Sequence, residues 1–186
     1  MNGREHMYLT MLTVFSMYLV LFSLMERIGV NVILRMFSIS MVGLYLLISA
    51  SFFLFCMGGL LPDSDIRDGH AAVYFSIFAP FAYSYRLIEL ILSWLLNKPV
   101  GHRQVMHQFL GILIGSLFIM SIFSIVLLRI TSIYAVLFLL LHLLGGQLCH
   151  LFQDHLADAT HQFAVPIYLA LLAGVMAIVV IVLKLW

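Results

Sequence analysis

GGQLCHLFQDHLAD, residues 145–158, is the stretch on which the interpretation of this chain depends. Here a long apolar run changes abruptly into a run that carries His and Asp. If one helix continues through it, His150, Asp154 and Asp158 follow at intervals of four residues and therefore share one face. Imidazole and carboxylate groups at the polar end of a buried helix are typical of one half of a metal site. The alternative is a helix end that is wetted by lipid headgroups.

The composition is that of an integral membrane protein. Of the 186 residues, 64% are hydrophobic and only 9% are charged, and a soluble domain of this size has too little interior to bury so much apolar surface. A formal net charge of +1 gives no basic surface for nucleic acid. Cys56 and Cys149 form neither a CxxC metal motif nor a disulfide framework. We therefore interpret both as small apolar side chains.

The apolar runs predict an all-α fold, a polytopic bundle of about five transmembrane helices that forms one domain over residues 1–186. A helix needs roughly 20 apolar residues to cross a membrane. The stretches that meet this requirement are 8–25, 36–61, 109–128, 132–152 and 163–185. The first is expected to be retained, because Ser23-Leu24-Met25-Glu26 is a poor signal-peptide cleavage site. Residues 26–35 are expected to connect the first two spans.

Residues 71–96 are apolar enough for a sixth span, but we predict a broken interfacial or re-entrant helix. Pro80 interrupts the segment, and Arg86 and Glu89 would lie near the middle of a spanning helix. A charge there costs roughly 2.5–3.5 kcal/mol, although these two side chains are three residues apart and would pair. With five spans, the polar segments of the chain gather on one side of the membrane, whereas a sixth span would separate them.

Four polar clusters meet on that side. They are His6, Asp63 with Asp65, His102 with His107, and His150 with Asp154. Taken singly, each has an ordinary explanation, such as a headgroup contact or a turn. Taken together, mixed imidazole and carboxylate ligands suit Zn²⁺ first, with Mn²⁺ or Fe²⁺ as alternatives, and they suffice for one or two ions.

Arg103 lies between the two histidines of the third cluster. A guanidinium group in this position would hold an anionic oxygen, as it does in phosphate sites. The alternative is an interfacial arginine that extends its charge to the headgroups. Two other catalytic templates are excluded, because the chain contains neither HExxH nor Gly-x-Ser-x-Gly.

The same clusters carry a resemblance to a known family. In chain order they are His6, GGLLPDSD at 58–65, HRQVMHQ at 102–108 and HLFQD at 150–154. This order resembles the YdjM-type family of LexA-binding, inner-membrane-associated metal-dependent hydrolases. The family pattern is an early His, a Gly-rich approach to Pro-Asp-x-Asp, His-Arg-Gly-x-Thr-His-Ser, and a helix with His-x-x-x-Asp. The resemblance covers most of the chain.

The chain departs from the family pattern without changing the proposed ligands. Gln104, Met106 and Gln108 stand where the family has Gly, Thr and Ser, Ile66 stands at a frequent His, and Ala157 stands at a frequent Thr. These departures concern the substrate contacts. The family is also distantly similar to zinc-dependent phospholipase C enzymes, and this similarity implies phosphoester chemistry.

We therefore expect a metal-dependent hydrolase that acts on a phosphoester of a membrane lipid at the interface. The expected metal ligands are His6, Asp63, Asp65, His102, His107, His150 and Asp154. Asp65 and Arg103 are the expected catalytic residues, with a metal-activated water as the nucleophile and Arg103 neutralising charge on the phosphate. The alternative is a non-catalytic membrane binding or scaffold protein with a structural metal or none.

We expect the protein in the cell membrane, that is, the inner or plasma membrane. The distribution of charged residues does not determine on which side of this membrane the site lies. The site side would carry Arg4, Arg67, Lys98 and Arg103, and the other side Arg27, Arg35, Arg129 and Lys184. The positive-inside rule is therefore balanced. Because Arg103 is needed for chemistry and the opposite connections are short, we expect the site to face away from the cytoplasm.

Overall fold

The computed structural model describes residues 3–61, 79–97, 108–160 and 164–185, and within these ranges the chain forms seven helices and no strand. In chain order the helices are α1 Gly3–Ile28, α2 Val30–Phe37, α3 Met41–Gly58, α4 Ala79–Leu95, α5 Phe109–Leu127, α6 Ile133–Thr160 and α7 Ala164–Leu185. Five of them, α1, α3, α5, α6 and α7, are long and apolar enough to cross a membrane. The predicted all-α bundle of five spans is confirmed.

The connection between the first two spans differs from the prediction. The sequence predicts a connection over 26–35 and a span that begins at Met36. This prediction is wrong, because the chain forms the short helix α2 and the helical conformation is interrupted before α3 begins at Met41. Ser38 has a left-handed backbone (φ 57°, ψ 44°) that ends α2. Ser40 then caps α3, accepting a hydrogen bond from the Gly43 N–H at 3.2 Å. Met36 therefore belongs to α2.

The spanning helices alternate in direction, so the bundle has two different ends. At the polar end α1, α5 and α7 begin and α3 and α6 finish. At the basic end lie Arg27, Arg35, Arg129 and Lys184. Hydrogen bonds between elements hold the basic end together. The Ser132 hydroxyl donates to the Met36 carbonyl at 2.8 Å and its N–H donates to the Phe37 carbonyl at 3.1 Å. The Arg27 guanidinium donates to the Leu183 carbonyl.

The interval that contains α4 starts and finishes at the polar end. α3 ends there, and α5 also begins there, because α5 and α6 are neighbours joined at the basic end by a short turn through Arg129. One complete crossing by α4 is incompatible with this arrangement, in agreement with the prediction for residues 71–96. Pro80 lies in the first turn of α4, where proline is tolerated. Residues 71–78 lie outside the described residues.

Cysteines at Asp68 and Asn97 test this topology, because the two positions flank α4. In a protein with Cys56 and Cys149 replaced by serine, an impermeant thiol reagent is expected to label both new cysteines from the same side of the membrane. Labelling from opposite sides would mean that α4 crosses and would contradict the five-span bundle.

α3 and α6 approach each other to backbone contact near the polar end. A Cβ atom added to Gly58 would lie 2.3 Å from the Leu143 carbonyl oxygen, and one added to Gly146 would lie 1.9 Å from the Phe55 carbonyl oxygen. Only glycine fits at either position, as is common where membrane helices cross closely. The main apolar core surrounds this crossing and includes residues of α2, α4 and α5. The crossing sets the end of α3 against the last turns of α6.

Candidate metal centre at the polar end

The buried face of α6 changes from apolar to polar as the helix approaches the polar end. The helix continues to Thr160, eight residues past the predicted end of the span at residue 152. Gln147, His150 and Gln153 have no exposed surface. His150 Nε2 lies 3.4 Å from Asp154 Oδ2. An imidazole and a carboxylate that are removed from water in this way need compensating partners.

Asp158 does not share this environment. It is exposed, so of the three residues spaced by four only His150 and Asp154 are buried. A helix has 3.6 residues per turn, so a step of four residues rotates the side chain by about 40°, and two steps rotate it by about 80°. Ala157, seven residues after His150, stays closer to the buried face and is itself buried.

The beginning of α1 and the end of α3 meet α6 beside His150. Gly146, which contacts the end of α3, lies one turn before His150 on α6. The Gln153 amide donates to the Thr10 hydroxyl at 3.4 Å and ties α1 to α6. A Cβ atom on Gly59 would lie 2.7 Å from Thr10 Cγ2, so Thr10 also packs directly on the end of α3. The beginning of α1 and the end of α3 therefore converge on α6 here.

Two of the predicted clusters lie within a few residues of these contacts in the sequence. His6 belongs to α1 and precedes Thr10 by one turn, on the same face of the helix. Asp63 follows the buried Leu61 by two residues, and two residues of chain span at most about 7 Å. The side chain of His6, and the whole of Asp63 and Asp65, lie outside the described residues.

The third cluster precedes α5, whose first residue lies at the level of the α6 site. α5 has 19 residues and therefore rises about 28 Å from its first residue to the basic end. On the neighbouring α6, the same rise from Ile133 reaches about Leu151. Phe109 therefore begins α5 close to the level of His150. His102, Arg103 and His107, which come just before α5, lie outside the described residues.

Of the seven predicted ligands, the structure describes the side chains of His150 and Asp154 and brings these two together. Within residues 3–61, 79–97, 108–160 and 164–185, no group of three or more His, Cys, Asp and Glu side chains is arranged to hold a metal ion. The two described groups themselves fit a divalent cation. They are a nitrogen and an oxygen donor from successive turns of one helix, shielded from water, as Zn²⁺ prefers.

Glu89 is a buried carboxylate that the sequence analysis does not include in the site. Only 3% of its surface is exposed, and it takes part in a polar or electrostatic interaction. Its expected ion-pair partner, Arg86, lies half-buried three residues away. The signal that identifies Glu89 is its position on a helix whose other face, including Ile91 and Trp94, is exposed and apolar. A carboxylate on the protein side of a lipid-facing helix is typical of a functional site.

His142 and the two cysteines lie in packed surroundings. His142 Nδ1 lies 2.8 Å from the Phe138 carbonyl oxygen, and its ring stacks on Tyr18 with 5.8 Å between the ring centroids. His142 is therefore satisfied by its own helix and by packing against α1. Cys56 and Cys149 are free thiols, both half-buried.

No protein-family model, no curated protein and no solved structure matches the chain. The resemblance to the YdjM-type family therefore rests on the motifs and stays a prediction.

Proposed function

We propose that the chain is a metal-dependent hydrolase of a cell membrane and that it cleaves a phosphoester of a membrane lipid at the polar end of the bundle. The observation that carries this proposal is the buried pair of His150 and Asp154 at the junction of α1, α3 and α6. Ionisable groups at membrane depth are costly and mark functional sites. The motif resemblance to the YdjM-type hydrolases supports the same conclusion.

The proposed ligands are His6, Asp63, Asp65, His102, His107, His150 and Asp154. A bound divalent cation, Zn²⁺ first, would polarise the phosphoryl oxygen and lower the pKa of a water to about 7. Asp63, Asp65, Asp154 and Glu89 carry four negative charges between them, which equals the charge of two divalent cations. The number of these carboxylates is compatible with one or two ions.

Arg103, from the segment with His102 and His107, and Asp65, which follows Asp63, would act on the substrate itself. Arg103 would hold the non-bridging oxygens of the phosphate and neutralise the charge that grows on them. Asp65 would accept a proton from the attacking water. Both roles need the side chains to lie beside His150, and the convergence of helix ends at the polar end supports this.

The surface of α4 supports a lipid as the substrate. The helix packs against α5 and exposes large apolar side chains that include Leu90, Ile91 and Trp94. Such a surface lies in the acyl region or at the headgroups, where Trp is favoured. A lipid phosphoester would therefore reach the polar end directly from the bilayer. In the cell membrane the basic end would face the cytoplasm, because its connections are short and Arg103 at the opposite end is needed for chemistry, while the Arg and Lys counts of the two ends are equal.

Hydrolysis in defined vesicles tests the proposal. The purified chain is reconstituted with phosphatidylglycerol and phosphatidylcholine, and the release of phosphorylated headgroup or of diacylglycerol is followed by mass spectrometry. Release is expected, and a chelator should abolish it until Zn²⁺ or Mn²⁺ is restored. A stable, metal-free protein that releases neither product would contradict the proposal and favour the scaffold alternative.

A further inference from the structure

A cavity of about 370 Å³ lies between α1, α6 and α7. Met17 of α1, Phe138 of α6 and Leu172 and Val175 of α7 are among its lining residues. On α1 the lining runs from Thr13 to Leu24, which corresponds to about 16 Å along the helix. That length is roughly half of the 30 Å hydrocarbon core of a bilayer, or the depth of one leaflet.

α7 leaves the cavity accessible from the side. The helix is attached near its beginning, where Tyr168 is buried and shares a hydrogen bond with the Thr13 hydroxyl. It is attached again near its end through the bond from Arg27 to Leu183. Between Tyr168 and Lys184 no residue of α7 is buried. The cavity is therefore bordered by a helix that faces lipid over most of its length.

The polar groups around the cavity are engaged within the protein. The Thr13 hydroxyl donates to the Leu9 carbonyl at 2.8 Å, and Ser16 donates to the Leu12 carbonyl at 2.9 Å. The Tyr18 hydroxyl bonds with Ser51. With these groups satisfied, the cavity offers mainly carbon surface, and at membrane depth such a surface suits a hydrocarbon chain.

A layer of hydrogen-bonded side chains lies between the upper end of the cavity and the candidate metal centre. Next to Thr13, the Cys149 thiol lies 3.1 Å from the Tyr168 hydroxyl. The Gln153 amide donates to Cys149 Sγ at 3.1 Å and also reaches Thr10. Gln153 is adjacent to Asp154 in the chain. A molecule that lies along the cavity would therefore have its upper end next to this layer, on the side away from the His150 and Asp154 pair.

We propose that this cavity binds one acyl chain of the lipid substrate, so that the phosphoester of the same molecule lies at the polar end. The inference rests on the proposed function, because it assigns the substrate chain to that site. On α1 the lining starts at Thr13, toward the polar end, and runs past the middle of the Met7–Ile28 span to Leu24, so an acyl chain that enters sideways with its headgroup at the polar end would lie along it. The hydrogen-bonded side chains of Thr13, Cys149 and Gln153 would separate the acyl chain from His150 and Asp154.

The test uses phosphatidylglycerol with a diazirine near the end of one acyl chain, diluted into phosphatidylcholine vesicles that contain the purified chain. After illumination, labelled peptides are expected to concentrate at Met17 and Met176, which line the cavity. Leu172→Trp narrows the cavity and should reduce this labelling roughly tenfold, the loss expected from displacing about two methylene groups. Leu171→Trp is the matched control, because Leu171 is exposed and lies outside the lining.

Equal labelling in the two variants, or labelling spread evenly over the outer faces of α1 and α7, would overturn the inference. If Leu172→Trp fails to fold, Val179→Trp with Ile178→Trp as its control gives the same comparison, because Val179 lines the cavity and Ile178 does not. Hydrolysis without labelling of the cavity would reject the acyl site and leave the proposed function intact. If the cavity is labelled in a protein that neither binds metal nor hydrolyses lipid, the bound acyl chain does not belong to a substrate, and that part of the inference is rejected.

Discussion

Replacing Gly146 with alanine is expected to lower the midpoint of thermal unfolding by roughly 6–12 °C. The new Cβ atom would lie 1.9 Å from the Phe55 carbonyl oxygen and 2.9 Å from the Gly59 nitrogen. Both atoms belong to the backbone, so α3 must move away from α6 as a whole. Overpacking of this kind costs up to about 3 kcal/mol, and each kcal/mol shifts the midpoint of a protein of this size by about 2–4 °C.

Gly174→Ala is the control for the Gly146 substitution. Gly174 also lies within a spanning helix, but a Cβ atom there would meet no atom within 4 Å. Its unfolding midpoint, followed by circular dichroism in detergent, should stay close to that of the wild type. Equal midpoints for Gly146→Ala and the wild type would show that α3 and α6 are not in backbone contact. The convergence of helix ends at His150 would then lose its structural basis.

Replacing His150 with alanine is expected to abolish lipid phosphoester hydrolysis, with a fall of at least about 100-fold. Residues that only support a metal ligand already contribute about 10–100-fold, and a ligand contributes at least as much. His150 has no exposed surface and lies 3.4 Å from Asp154. The loss should persist in excess Zn²⁺, because an alanine supplies no donor atom.

His155→Ala is the matched control, since His155 lies on the same helix but is exposed. Its rate should stay within about twofold of the wild type, as is usual for a surface change. The unfolding midpoint is measured for both variants, and His150→Asn provides a polar replacement if the alanine variant is unstable. An active His150→Ala protein, or the same loss in both variants, would contradict the assignment of His150 to the site.

The five spans and the buried polar stripe of α6 follow from the sequence because both depend on local patterns. Long apolar runs identify the spans, and helical spacing puts His150 and Asp154 on one face. The interval 71–96 was also predicted not to cross, from the cost of placing Arg86 and Glu89 in lipid. The described ends of α3 and α5 agree with that prediction.

The features that the sequence analysis missed depend on tertiary contacts or on single backbone angles. α2 and the break after it depend on the left-handed conformation of Ser38, which no apolar pattern indicates. Glu89 is buried because of the side of α4 that meets the bundle. Asp158 is exposed because rotation along α6 carries it away from the packed face. The sequence contains Gly58 and Gly146, but their mutual contact appears only when two helices cross.

The central claim is that four separated polar clusters form one metal site at the polar end. The most direct test is the metal content of purified wild-type protein and of the single variants Asp63→Ala, His107→Ala and His150→Ala, measured by mass spectrometry of the elements. We predict a stoichiometric divalent metal in the wild type and a loss of bound metal in each of the three variants. A metal-free wild type, or a loss confined to one variant, would contradict the claim.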